Sequence, residues 1–135
     1  MVDSLLLDTG PLVALLDASE HRHADCVAYF RNWRGVALTT EAVVTEATHL
    51  LRRVDRAVCL DFIRRGGATV VPWSRSRLDR VIELIKTYAS VPMDYADATL
   101  VVLAEEAGLK RVFTLDRRGF ETYRWGQRRK FHIVP

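Results

Sequence analysis

The sequence predicts an α/β sandwich around a mostly parallel sheet, and three observations carry that expectation. Short apolar runs alternate with longer amphipathic stretches from end to end. The runs are strand-sized, whereas the amphipathic stretches carry apolar residues at helical spacing. The chain also lacks internal repeats, linkers and low-complexity tracts, and its 135 residues suit one domain that buries about two-thirds of its unfolded surface.

Taken in order, Ser4, Leu5, Leu6 and Leu7 read as the first strand. Asp8 follows it directly, Thr9 and Gly10 turn the chain, and Pro11 suits the first position of a helix over 11–17. Further helices are expected over 21–33, 41–53, 55–65, 75–89 and 95–107. The intervening strands fall at 36–38, 68–71, 111–115 and 131–134, with a short segment Arg117, Arg118, Gly119, Phe120 before the last of them. In the helix that begins after Thr39 or Thr40, Val43, Ala47, Leu50, Leu51 and Val54 form the core stripe.

Composition narrows the function classes. Hydrophobic residues make up 49% and charged residues 27%, the balance of an ordinary soluble globular protein. No apolar run approaches the ~20 residues that cross a bilayer, and the N-terminus lacks the features of a signal peptide, so a cytoplasmic protein with no membrane partner is expected. Cys26 and Cys59 both lie in apolar helical settings and read as buried thiols, while His21 and His23 read as a solvated pair. The formal charge is only +3, but Arg117, Arg118, Arg124, Arg128, Arg129 and Lys130 crowd the C-terminal part, and Arg52, Arg53, Arg56, Arg64 and Arg65 form a second group. Together they suit a polyanion such as a nucleic-acid backbone; singly, each is an ordinary solvated charge.

Four acids stand where carboxylates are costly. Asp8 and Asp116 end strands, where ligands bind in parallel sheets. Asp97 shares the core-facing side of its helix with Leu100, Val101 and Ala104, and Glu46 borders the stripe of its own helix, whereas Glu41 points to solvent. Asp94 is in the natural position to cap the helix at 95–107, with metal ligation as its other reading. No Lys or Arg occupies a matching core position, so the common partner for these acids is a divalent metal ion. A set of carboxylates alone favours Mg²⁺ or Mn²⁺ over zinc. Thr114 is close enough to Asp116 to bond a carboxylate or a metal-bound water.

The ordered segments LLLDTGPLVALLD, TTEAVVTEATHLL, PMDYADATLVVLAEEAG, VFTLDRRGFETYR and FHIVP resemble those of the PIN-domain nucleases, and among them the small VapC-type toxins of toxin–antitoxin pairs. The resemblance covers essentially the whole chain. It implies a three-layer sandwich with a five-stranded, mainly parallel sheet flanked by helices, and one pocket that gathers Asp8, Glu46, Asp97 and Asp116 around Mg²⁺ or Mn²⁺. It further implies RNA cleavage to a 5′-phosphate and a 3′-hydroxyl, a homodimer, and silencing by a small antitoxin. Arg117, Arg118 and Arg124, near the acids in sequence, are candidates for holding RNA phosphate. One departure stands out: many relatives have a further Asp where this chain has Gly119, which bears on a second metal ion more than on the reaction class.

Other readings remain. A haloacid-dehalogenase-type phosphatase needs a second Asp where this chain has Gly10, and a receiver-type phospho-acceptor needs paired acids and a late Lys. A stand-alone ribonuclease in RNA processing, or a PIN-like module that binds RNA or protein with weakened chemistry, fits the same residues. Trp73, Tyr123 and Trp125 are available either to stack on bases or to fill the core.

Overall fold

The computed structural model describes residues 3–135. Strand β1 (Ser4–Leu7) is followed by α1 (Thr9–Leu16), α2 (His23–Asn32), β2 (Val36–Thr39), α3 (Glu41–Leu50), α4 (Ala57–Arg64) and β3 (Thr69–Val70). A 3-10 turn over Arg75–Arg77 leads into α5 (Leu78–Thr87), and α6 (Tyr95–Ala107), β4 (Arg111–Phe113) and α7 (Arg117–Thr122) follow. The chain ends with β5 (Arg124–Trp125), β6 (Arg129–Lys130) and β7 (His132–Val134).

Five strands form one sheet in the order β3-β2-β1-β4-β7, and every neighbouring pair is parallel. The chain runs outward from β1 to β3 through α1–α4, then back across to β4 and β7 through α5–α7, and the right-handed crossovers that parallel strands adopt put these two groups on opposite faces. Covered on both faces, β1 carries three successive apolar residues rather than an alternation, and Leu5, Leu6 and Leu7 are all fully buried. The direction of travel reverses between β1 and β4. Their carboxyl ends therefore flank the switch point where an open parallel sheet leaves a crevice.

The expected five strands and six helices are all present, with ends that differ for physical reasons. Helix α1 starts at Thr9 because the Asp8 side chain caps it, accepting from Thr9 N at 2.8 Å. Helix α3 stops at Leu50, which is 47% exposed instead of lying in the core stripe; Leu51 turns inward and is fully buried. His23 is not simply solvated, since it starts α2 with its Nδ1 2.6 Å from the Ala14 carbonyl oxygen. Helix α6 spans the expected 95–107 and ends at Gly108, whose φ of 67° is left-handed and suits glycine. Cys26 and Cys59 are buried free thiols.

The β5–β6 hairpin has no counterpart in the sequence reading. Its strands are two residues each and its turn, Gly126–Gln127, has positive φ at both positions. Trp125 anchors it: the ring is buried and Nε1 donates to Lys130 O at 3.3 Å. Gly126 N donates to Glu105 Oε2 at 2.8 Å, and the same carboxylate holds Arg80, which ties hairpin, α6 and α5 together.

Candidate active site

Asp8, Glu46, Asp94, Asp97 and Asp116 line one cleft of about 330 Å³ at the switch point, together with Thr9, Gly10, Leu50 and Leu115. No Lys, Arg or His is among the lining residues. The backbone accounts for the convergence: Asp8 leaves β1 and Asp116 follows β4, its immediate neighbour in the sheet, while Asp97 lies in the first turn of α6 and Glu46 midway along α3.

Asp8 is the most enclosed, at 6% exposure. Its Oδ1 accepts from Thr9 N and its Oδ2 from Thr114 Oγ1 at 2.7 Å, while Thr114 Oγ1 in turn accepts from Asp116 N at 3.0 Å. One buried hydroxyl thus ties the two strand-end acids together. Burial still dominates these favourable bonds and pushes the Asp8 carboxyl up to about 6. Asp97 is pushed up to about 8 by burial first, then by the charges of Asp8 and Asp94. Burial likewise raises Glu46.

Asp94 and Asp97 form a capping box on α6, in which Asp94 Oδ1 accepts from Asp97 N at 2.7 Å and Asp97 Oδ2 from Asp94 N at 3.2 Å. Asp94 therefore takes the expected cap, and it lines the cleft as well. Asp116 accepts from Gly119 N at 3.1 Å. A Cβ on Gly119 would collide with Asp116 Oδ2 and sit 3.1 Å from Tyr123 Cε2, so glycine makes room for this carboxylate.

The donor set suits a hard divalent cation. It is all oxygen, it lacks a protein counter-charge, and the Thr9 hydroxyl beside it is buried without a well-formed hydrogen bond, though near enough to Glu46 to ease its burial. Among the described residues, no three His, Cys, Asp or Glu side chains are close enough to hold one ion as they stand. Both Asp8 oxygens are hydrogen-bonded, whereas Asp94, Asp97 and Asp116 each keep one oxygen outside the bonds just described, so ligation by three of them requires the side chains to draw closer together.

Residues 5–126 match the PIN domain family. The chain belongs to that family. It is similar to a curated relative, Ribonuclease VapC26 of Mycobacterium tuberculosis, with 27% identity over 135 residues that span 97% of this chain and 100% of the relative. Its fold is similar to the crystal structure of M. tuberculosis VapC20, a toxin described as cleaving the sarcin–ricin loop, with a TM-score of 0.72, 21% identity, and coverage of 80% of this chain and 86% of that one.

Around the cleft of this PIN domain, the three arginines expected near phosphate separate by what already holds them. Arg117 pairs with Glu121 at 3.4 Å, and Arg124 Nη1 donates to the carbonyls of Glu121, Thr122 and Tyr123 at the end of α7. Arg118 has no side-chain partner among the described residues, and with Asp116, Gly119 and Tyr123 it lines a recess beside the cleft. Tyr123 and Trp125 are core residues and not exposed stacking platforms. The Tyr123 hydroxyl donates to Pro92 O at 3.1 Å and lies beside Asp97; burial and then that carboxylate hold its proton firmly. The sequence reading missed Tyr123 and Thr9 as neighbours of the acids.

Proposed function

We propose that this PIN domain is a divalent-metal-dependent endoribonuclease, the toxin of a toxin–antitoxin pair. One observation carries the reading most: Asp8 and Asp97, from separate elements, are kept at the switch-point cleft against their own charge, with no cationic residue lining it. Likeness to a relative named a ribonuclease over its full length supports RNA as the substrate.

Asp8, Asp97 and Asp116 would hold Mg²⁺ or Mn²⁺, with Glu46 completing the set and Asp94 within reach of it. A divalent ion at this place supplies positive charge to the scissile phosphate and lowers the pKa of the attacking water. Glu46, on the α3 side of the cleft, would otherwise orient that water. Thr114 fixes the Asp8 carboxylate and the Asp116 backbone. Arg118 draws the phosphate toward Asp116, a more direct role than Arg117 or Arg124 can play from their intramolecular bonds. The products are a 5′-phosphate and a 3′-hydroxyl. A homodimer and a small antitoxin complete the functional unit. No helix among the described residues is long and apolar enough to cross a membrane.

The test is cleavage of end-labelled RNA by purified protein in Mg²⁺ or Mn²⁺ against EDTA, beside Asp97→Asn. Cleavage should need the ion and vanish in the variant while its circular dichroism is preserved. Cleavage that survives EDTA, or an active Asp97→Asn protein, overturns the proposal.

A further inference from the structure

The two edges of the sheet are opposite in charge. Asp8 and Asp116 stand where β1 and β4 finish, whereas cations stand where strands begin: Arg34 ahead of β2, Lys110 and Arg111 at the start of β4, and Lys130 ahead of β7. Register brings these starts into line, because Ser4 pairs with Val36 and Arg111 with His132, and His132 N donates to Lys110 O at 2.8 Å. With β2, β1, β4 and β7 adjacent in that order, the row is about 15 Å wide at ~4.8 Å per strand. Arg128, in the hairpin turn, and Arg129, in β6, directly precede Lys130.

Two of these cations stack on the protein's own aromatic rings, Arg111 over Trp33 at 5.1 Å and Arg129 over Trp125 at 5.0 Å from the ring centroid, which leaves Arg34, Lys110, Arg128 and Lys130 without such a contact. Among the described residues Arg34, Lys110, Arg111, Arg128, Arg129 and Lys130 form no ion pair, while Arg22, Arg64, Arg65, Arg77, Arg80 and Arg117 all do. Arg34, Lys110, Arg128, Arg129 and Lys130 are exposed. Asp3 shares the edge and lines a recess of about 410 Å³ with Lys110 and Arg111, so the local balance is strongly positive. Like charges within a Debye length of ~8–10 Å repel one another, and only an outside partner relieves that. A small anion meets one or two of them. A protein partner would look for an apolar centre, yet of the large exposed apolar side chains only Val36 belongs to a strand start; the rest lie on α3, α4 and α5 or are Tyr95. A row of cations spanning four strands fits the repeated phosphates of a nucleic-acid backbone.

We infer that this strand-start edge is a second RNA contact, which grips the backbone of a structured RNA away from the point of scission. The inference takes its ligand from the ribonuclease reading. Helix α6 measures the separation: from Asp97 to Ala107 it rises about 15 Å, at ~1.5 Å per residue. An RNA that touches both edges must reach at least that far, so a stem–loop engages the row and a short single strand seated in the cleft does not.

The experiment compares Arg34→Gln/Lys110→Gln/Lys130→Gln with a charge-matched control, Arg22→Gln/Arg75→Gln/Lys86→Gln, none of whose positions stands at a strand start or in the two arginine groups suited to a polyanion. Binding of a labelled stem–loop RNA is measured against salt in the Asp97→Asn background, and cleavage of the stem–loop and of a short single strand in the otherwise unaltered protein. Each lost phosphate contact should weaken stem–loop binding about 5- to 8-fold near 0.1 M salt, about a hundredfold or more for three, and flatten the log–log salt slope by about 2–3. Short-strand cleavage should be unchanged. An unaltered slope, or a loss equalled by the control, overturns the inference even where the protein cleaves RNA; a flattened slope in a protein that cleaves nothing keeps the contact and removes the nuclease. If the triple variant binds the stem–loop normally but loses an acidic peptide, the edge serves a protein instead, which also overturns it.

Discussion

Replacing Asp8 by Asn should stabilise the ion-free protein at alkaline pH. The Asp8 carboxyl is 6% exposed and titrates near 6 in the fold against an ordinary value of 3.8. At pH 8 it is ionised in both folded and unfolded chains, so the folded state bears the full difference, about 3 kcal/mol at 1.36 kcal/mol per pH unit. Asparagine is nearly isosteric, keeps an acceptor for Thr9 N, and offers an amide to Thr114, whose hydroxyl can turn to accept it. Removing this charge also relieves Asp97, which feels Asp8 next after burial.

The sign follows from linkage. A carboxyl whose folded pKa is raised contributes stability below its unfolded pKa and loses it as pH rises through the folded value. The Asn variant should therefore gain about 2–3 kcal/mol in EDTA at pH 8, and only about 0.5 kcal/mol near pH 4, where the folded carboxyl holds its proton and the unfolded one is roughly half ionised. Urea unfolding followed by circular dichroism reads the difference at both pH values. Added Mg²⁺ or Mn²⁺ should reverse the order, since ligand binding to the folded state stabilises the native protein and not the variant. If Asp8→Asn is destabilising by the same amount at both pH values, Asp8 is an ordinary satisfied cap and the electrostatic argument is wrong.

Thr114→Val removes a donor to Asp8 and an acceptor for Asp116 N without changing shape; it should cost about 1–3 kcal/mol in urea and lower RNA cleavage more than tenfold. Gly119→Ala should displace the Asp116 carboxylate and depress kcat, while differential scanning fluorimetry finds Tm moved by only a few degrees, because helix propensity gained by alanine (~1 kcal/mol) offsets part of the crowding. Glu105→Gln loosens the bonds to Arg80 and Gly126 N and should lower stability by about 1–2 kcal/mol with cleavage of a short single strand retained, since Glu105 is far along α6 from the cleft.

The acids were legible because each breaks a local pattern. Asp8 interrupts an apolar run, and Asp97 sits on the wrong side of a helix whose other faces are easily read. Helix α6 showed both ends, Asp94 as its cap and Gly108 as its stop. What the sequence hid depends on partners distant along the chain. The β5–β6 hairpin is too short to carry a strand pattern and is held by Trp125 and by Glu105, roughly twenty residues earlier. Leu50 looked like core because the stripe continues past it, but α3 ends there and the chain turns. Arg124 read as a candidate for holding RNA phosphate, although a cation just past a helix commonly satisfies its last carbonyls, and that signal was available.

Asp97 shows which force governs the cleft. The N-terminus of α6 favours an anion by about 0.3–1 kcal/mol, and Asp94 N adds a hydrogen bond. A carboxyl pushed up to about 8 nonetheless implies an opposing cost of several kcal/mol, so burial among like charges outweighs the helix terminus. Domains have only about 5–15 kcal/mol of net stability, so this cluster occupies a large share of it. A single acid in such a place could be neutralised by one proton. Here Asp8 and Asp97 share one cleft with Asp94 and Asp116, and the all-oxygen donor set makes a divalent cation the partner that meets them together. Folding stability and ion concentration should consequently be linked in this chain, so that Tm rises with added Mg²⁺ or Mn²⁺ in the native protein and stays level once Asp97 is Asn.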